Sequence, residues 1–142
     1  MKVYLDNVAT TPMAPEIIEL MSEMMKTTFG NPSSVHELGR KSKIIVETAR
    51  KTIAALLNTA PKTIFFTSGG TEADNMAIKC GIHDHNIKHA ITSKLSHHAV
   101  LYPLEDFAAQ GKIKLSYIDT DENGEVSLSH LKELLESNER TF

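Results

Sequence analysis

Thr67-Ser68-Gly69-Gly70-Thr71-Glu72-Ala73-Asp74-Asn75 is the segment of this chain best suited to hold an anion. An apolar run ends, two glycines follow, and Thr71 opens a helical stretch. The first turn of a helix offers free N–H groups and the positive end of its dipole, and both favour a phosphate. Glycines let the backbone approach closely, and the Thr71 hydroxyl can donate one more hydrogen bond. The spacing is neither a Walker loop, which needs GK[ST], nor a GxGxxG fingerprint. An ordinary strand-to-helix turn, with Ser68 or Thr71 as a simple cap, explains the same residues and stays open at this point.

A second candidate is Leu95-Ser96-His97-His98-Ala99-Val100. A histidine just after a strand is placed to stack on a planar ring or to move protons near neutral pH. Two adjacent histidines rarely point the same way, and no third residue completes a metal set by spacing. His83-Asp84-His85 lies in a polar stretch and is expected to be a solvated loop, since a metal needs converging ligands. No metal site is expected. Asp6-Asn7-Val8-Ala9-Thr10-Thr11-Pro12 has the small and hydroxyl residues that can line a pocket, but says little alone.

The elements that must position these groups follow from periodicity. Pro15 suits the first turn of a helix over 16–25. Phe29-Gly30-Asn31-Pro32-Ser33-Ser34 is a loop. Ser34 and Glu37 have capping-box spacing, which predicts that a long helix begins there. Ile45, Ala49, Ile53 and Leu57 repeat every four residues, with Val46 and Leu56 widening the stripe, so this helix is amphipathic and should end near Asn58. Thr63 to Thr67, Ala90 to Ser93 and Lys114 to Asp119 read as strands, with helices over 71–79, 98–109 and 127–135. Such alternation predicts an α/β fold with a largely parallel sheet and flanking helices. Ligands in such sheets sit beyond the carboxyl ends of the strands, near Phe66, Ser93 and Ile118.

Composition adds bounds. The 142 residues are 41% hydrophobic and 23% charged with a net charge of -3, enough for a core and no footprint for nucleic acid. Lys41, Lys43, Arg50 and Lys51 are expected to form a solvated helix face. One cysteine, Cys80, cannot form an internal disulfide. No apolar run reaches the ~20 residues of a membrane span, and no secretory signal is visible. A cytoplasmic location is expected.

Four segments gain meaning together. Tyr4-Leu5-Asp6-Asn7 with Ala9-Thr10-Thr11-Pro12, then Phe29 to Ser34 with His36 and Gly39, then Thr67 to Lys79, then His97-Ala99-Val100, resemble cysteine desulfurases in order and spacing. The resemblance is strongest to the branch serving nitrogenase and iron–sulfur cluster assembly, and runs from about Tyr4 to Phe142. It implies part of the large domain of a fold-type-I pyridoxal-phosphate-dependent transferase of the class V aminotransferase superfamily. By this resemblance, residues 1–14 are an arm on the small-domain side and residues 15–142 the N-terminal part of the cofactor-binding domain.

What the resemblance implies for chemistry is specific. Such enzymes take L-cysteine to L-alanine and pass the sulfur, as a persulfide, to an acceptor scaffold protein; they are dimers. Gly70 and Thr71 would hold the phosphate of pyridoxal 5'-phosphate. His97 would stack on its ring and serve proton transfer. Ala9 and Thr10 would lie near the substrate, and Asn31-Pro32-Ser33 near the site or a subunit interface. The family's Schiff-base lysine follows a histidine, and these residues contain no His-Lys pair. Its pyridine-pairing aspartate, ring-contacting asparagine and catalytic cysteine also belong to later segments. The chain is therefore expected to be truncated and inactive by itself. Cys80 matches a position held by a small residue and is expected to pack rather than carry sulfur. Another class V reaction, or a non-catalytic interaction module keeping the fold, are the alternatives.

Overall fold

The structure is a computed structural model that describes residues 1–137 and 140–142. Contacts divide it into two compact units, Met1–Phe65 and Phe66–Phe142.

The first unit holds two helices. Helix α1, Pro15–Thr27, starts with proline at its first position, where the missing N–H costs nothing. Helix α2, Glu37–Leu56, is capped not by Ser34 but by His36, whose ring Nδ1 accepts the Gly39 N–H at 3.3 Å. Ser34 instead closes the preceding turn, donating its N–H to the Asn31 carbonyl. That turn lies tight against α2: a side chain at Gly39 would meet the Ser34 carbonyl oxygen at 2.4 Å. The far end of α2 closes as a Schellman turn. Asn58 sits at φ 51°, with its N–H on Ala55 and the Thr59 N–H on Ala54. Lys41, Lys43 and Lys51 are exposed as expected, whereas Arg50 is half-buried and binds Glu47 at 3.2 Å and the Ile64 carbonyl.

The stretch predicted as a first strand, 63–67, is not one. A single 3-10 turn, Pro61–Thr63, precedes it, and the chain then runs extended without joining a ladder. An apolar β-rich run becomes a strand only where a neighbouring strand takes its N–H and C=O groups, and among the described residues it meets none.

The second unit carries the sheet. Helix α3, Gly70–His83, leads to strand β1, His89–Thr92; helix α4, His98–Ala109, leads to strand β2, Lys114–Tyr117; helix α5, Leu128–Glu136, follows. β1 and β2 pair in parallel with His89 opposite Lys114. Thr141 bridges the other side of His89, also in parallel. The α/β reading with a parallel sheet therefore holds. Helix α4 ends in a second Schellman turn at Gly111, φ 68°, which turns the chain into β2. The core is Ile78 and Ile82 of α3, Ala90 of β1, Leu104 and Phe107 of α4, and Ile113. Burying each large aliphatic side chain supplies about 1.5–3 kcal/mol, and this core fixes α3 and α4 against the strands.

Candidate functional site

Thr71 stands at the second position of α3. The helix is preceded by Gly69, which has no side chain to cap it. The N–H groups of Gly70 and Thr71 have no partner among the described residues. Added Cβ atoms at Gly69 and Gly70 would meet nothing within 4 Å, so the turn is open to an approaching group. Ser68 is not available in the same way. Its N–H and its hydroxyl both donate to Glu72, at 2.6 and 2.8 Å, and these bonds hold the Glu72 carboxyl below its ordinary range.

His97 is delivered by the loop after β1. The Ser96 hydroxyl fixes that loop, accepting from the Thr92 hydroxyl at 3.1 Å and the Ser93 N–H at 3.4 Å. His97 is then the N-cap of α4, and its Nδ1 accepts the Ala99 N–H at 3.1 Å. An acceptor nitrogen carries no proton, so the neutral ring holds its hydrogen on Nε2. His98 does not join it. The two rings are 6.2 Å apart and tilted by 41°, while His98 stacks on Tyr102 at 4.7 Å and 6°.

The structure brings Thr71 and His97 to one concavity of about 510 Å³ between α3 and α4, lined also by Asn75, His98, Tyr102 and Phe107. Gly70 is at the start of the same helix. Ala9 and Thr10 belong to the other unit, where both N–H groups turn back onto the Asp6 carbonyl. Thr10 there lines a shallow hollow with Tyr4, Thr11 and Pro12.

Cys80 requires a correction. It is exposed rather than packed, and desolvation together with the Asp84 carboxylate pushes its thiol pKa up. A raised pKa leaves less of the nucleophilic thiolate at neutral pH, even though the position is open. His83 packs edge-on against Phe107 at 5.4 Å. Among the described residues no three His, Cys, Asp or Glu side chains converge on a point that could hold a metal. Among them, too, no helix is long and apolar enough to cross a membrane.

The sequence profile of the family described as Aminotransferase class-V matches residues 3–142. The chain belongs to that family. Within it, the chain is 44% identical over 136 residues to the Putative cysteine desulfurase IscS 1 of Bacillus subtilis, covering 94% of this chain and 36% of that protein. It is 46% identical over 133 residues to the Cysteine desulfurase IscS of Methanosarcina thermophila, covering 92% of this chain and 32% of that protein. Among solved structures, a NifS-like protein superposes with a TM-score of 0.89 at 34% identity, over 100% of this chain and 39% of that one. A structure described as SspA in complex with cysteine gives 0.81 at 31% identity, over 94% of this chain and 38% of that one. The chain spans about a third of the length of the curated relatives it matches.

Class V aminotransferase-type enzymes imply pyridoxal phosphate, and the donor set here fits it. The two unpartnered N–H groups and the Thr71 hydroxyl suit a phosphate monoester, and the His97 ring suits a planar heterocycle. Thr71 and His97 line the same concavity, and Gly70 directly precedes Thr71. Reading the sequence missed Asn75, whose amide reaches the carbonyls of Thr71 and Ala99. It also missed the His98–Tyr102 stack, although the four-residue spacing was there to be seen.

Proposed function

We propose that this chain contributes the phosphate-binding turn and the ring-stacking histidine of a pyridoxal-phosphate-dependent cysteine desulfurase. The observation that carries the reading is the meeting of Thr71 and His97 at one concavity. The relatives named cysteine desulfurase, 44% and 46% identical across nearly the whole chain, support the reaction. When bound, pyridoxal phosphate supplies an electron sink for the α-carbon of an amino acid.

In this reading Gly70 and Thr71 anchor the phosphate and His97 covers the ring. His97 is oriented by its bond from the Ala99 N–H, which leaves Nε2–H to meet the ligand or a proton acceptor. Ala9 and Thr10 lie on the substrate side, and residues 1–14 act as an arm of a second domain. The overall conversion is L-cysteine to L-alanine, with the sulfur atom transferred to an enzyme thiolate as a persulfide and then to an acceptor protein that builds iron–sulfur clusters. The working enzyme is a cytoplasmic homodimer or higher oligomer.

The test uses pyridoxamine 5'-phosphate, which lacks the aldehyde that would label surface lysines. Titrated into the ¹⁵N-labelled chain, it should shift the amides of Gly70 and Thr71 and the ring nitrogens of His97 together. Shifts scattered over the surface, with these three unmoved, would return Thr71 to a helix-end role.

A further inference from the structure

Pro103 sits inside α4. A proline has no N–H to give to the carbonyl four residues back, and its ring crowds that carbonyl. The carbonyl belongs to Ala99, a residue only 7% exposed in the first turn of the helix. A buried carbonyl without a donor is costly, so its partner matters.

The partner comes from the neighbouring helix. Asn75 Nδ2 of α3 lies 3.4 Å from the Ala99 carbonyl oxygen and 2.9 Å from the Thr71 carbonyl oxygen. An amide NH₂ has two hydrogens, one for each acceptor. The Ala99 N–H, on the same residue, donates to His97 Nδ1 at 3.1 Å. One line of hydrogen bonds therefore runs from Thr71 through Asn75 and Ala99 to the His97 ring. We propose that Asn75 is a positioning residue: its amide replaces the donor that Pro103 removes from α4, and so couples the turn at Thr71 to the orientation of the His97 imidazole. The coupling stands on these hydrogen bonds alone, and its service to a cofactor rests on the function proposed above.

The coupling makes an unusual prediction, that a substitution at Pro103 repairs one at Asn75. Asn75→Asp keeps the side-chain shape and turns the donor into an acceptor facing two carbonyls. Pro103→Ala gives residue 103 an N–H that can serve Ala99 from within α4. The readouts on the ligand-free full chain are the ring ¹⁵N shifts of His97, which report the tautomer and the Nδ1 bond, and the Ala99 amide shift. Asn75→Asp should move both, and the double variant Asn75→Asp/Pro103→Ala should bring both back toward the unsubstituted values. Pyridoxamine 5'-phosphate affinity should fall roughly tenfold in the single variant, the cost of a bond to a mispositioned group, and recover in the double. If Asn75→Asp does not fold, Asn75→Ala carries the same comparison. Unmoved His97 and Ala99 resonances in the single variant would overturn the proposal. So would a double variant no closer to the original than the single. Resonances that move and recover while ligand affinity stays constant would support the coupling and count against the cofactor reading.

Discussion

The two units treat their apolar residues differently. In Phe66–Phe142 the apolar faces of α3 and α4 close over the strands: Ile78, Leu104 and Phe107 are buried, with Leu104 only 1% exposed. Among the described residues of Met1–Phe65, Ala54 is the one buried hydrophobic side chain. Helix α1 buries none of its residues, and its Ile17, Leu20 and Met21 are open. On α2, Ile44, Ile45, Ala49 and Ile53 line an uncovered hollow. The apolar periodicity is as clear in one unit as in the other. What separates them is whether a second layer lies on the stripe, because a helix is stabilised by the surface it covers more than by its own propensity.

Substitutions can sharpen that contrast. The largest effect is expected in the closed core, where Leu104→Ala should cost about 2–5 kcal/mol by removing contacts and leaving a cavity. Urea unfolding followed by circular dichroism reads it, and a loss under 1 kcal/mol would mean that the core is looser than its burial implies. Next comes Thr71→Val, expected to weaken pyridoxamine 5'-phosphate binding by about 1–3 kcal/mol, the worth of a hydrogen bond to a charged group, with the unfolding midpoint unchanged. Calorimetric titration measures it; equal affinity would remove the hydroxyl from the site.

Ser127 caps α5 by accepting the His130 N–H at 3.3 Å. Ser127→Ala should therefore cost about 1 kcal/mol, seen as faster amide exchange over 128–131, and no change there would show that the rest of the unit holds the helix.

A pH effect belongs to the closed unit. His89 is 3% exposed, with Nδ1 on the Thr141 hydroxyl at 2.9 Å and Nε2 on the Ser116 hydroxyl at 2.8 Å. Burial, then the Lys114 charge, pushes its pKa down. The unfolded chain takes up the proton first, near pH 6.5. The stability from neutral His89 is thus fully present above that pH and is lost as pH falls toward the folded value. Comparing urea midpoints at pH 8 and pH 5 for the original chain and His89→Gln isolates the effect. The same acid loss in both would assign it to other groups.

The smallest effect on stability is expected on the open unit. Ile17→Ser should change it by no more than about 0.5 kcal/mol, as at other surface positions. Its consequence should appear in association. Contiguous exposed apolar surface is uncommon on a monomer, so the chain should self-associate in sedimentation equilibrium, and Ile17→Ser should weaken that association. A monomer at every micromolar concentration would show that these faces are harmless.

Much of this fold was legible from local pattern. Pro15 marked the start of α1, and the stripe through Ile45 and Ile53 marked α2 to within two residues of its end. The alternation read over 63–135 predicted the parallel pairing that β1 and β2 show, although its first strand did not form. Two readings failed for a shared reason. The capping-box spacing of Ser34 and Glu37 described a possible bond, yet the close approach at Gly39 committed Ser34 to the turn and left the cap to His36. The run through Phe65 and Phe66 had strand composition, but composition provides no neighbour. The glycine turn and His97 stood out in the sequence as candidates because each sits at an element end, where orphan backbone groups make chemistry visible. Asn75 was missed because it lies inside a helix, where asparagine in itself signals nothing.

Pro103 shows where sequence stops and tertiary structure begins. The sequence alone determined that, if 98–109 is helical, the Ala99 carbonyl must lose its partner, because covalent chemistry leaves residue 103 without a hydrogen to give. It pointed equally to a helix opening where the two glycines meet Thr71, and α3 begins there, at Gly70. Which group would answer the Ala99 carbonyl was decided only when Ile78, Leu104 and Phe107 packed α3 against α4. That packing set Asn75 within reach of an acceptor 24 residues away. A missing donor is a local property of the chain, whereas its replacement depends on which surfaces the hydrophobic core presses together.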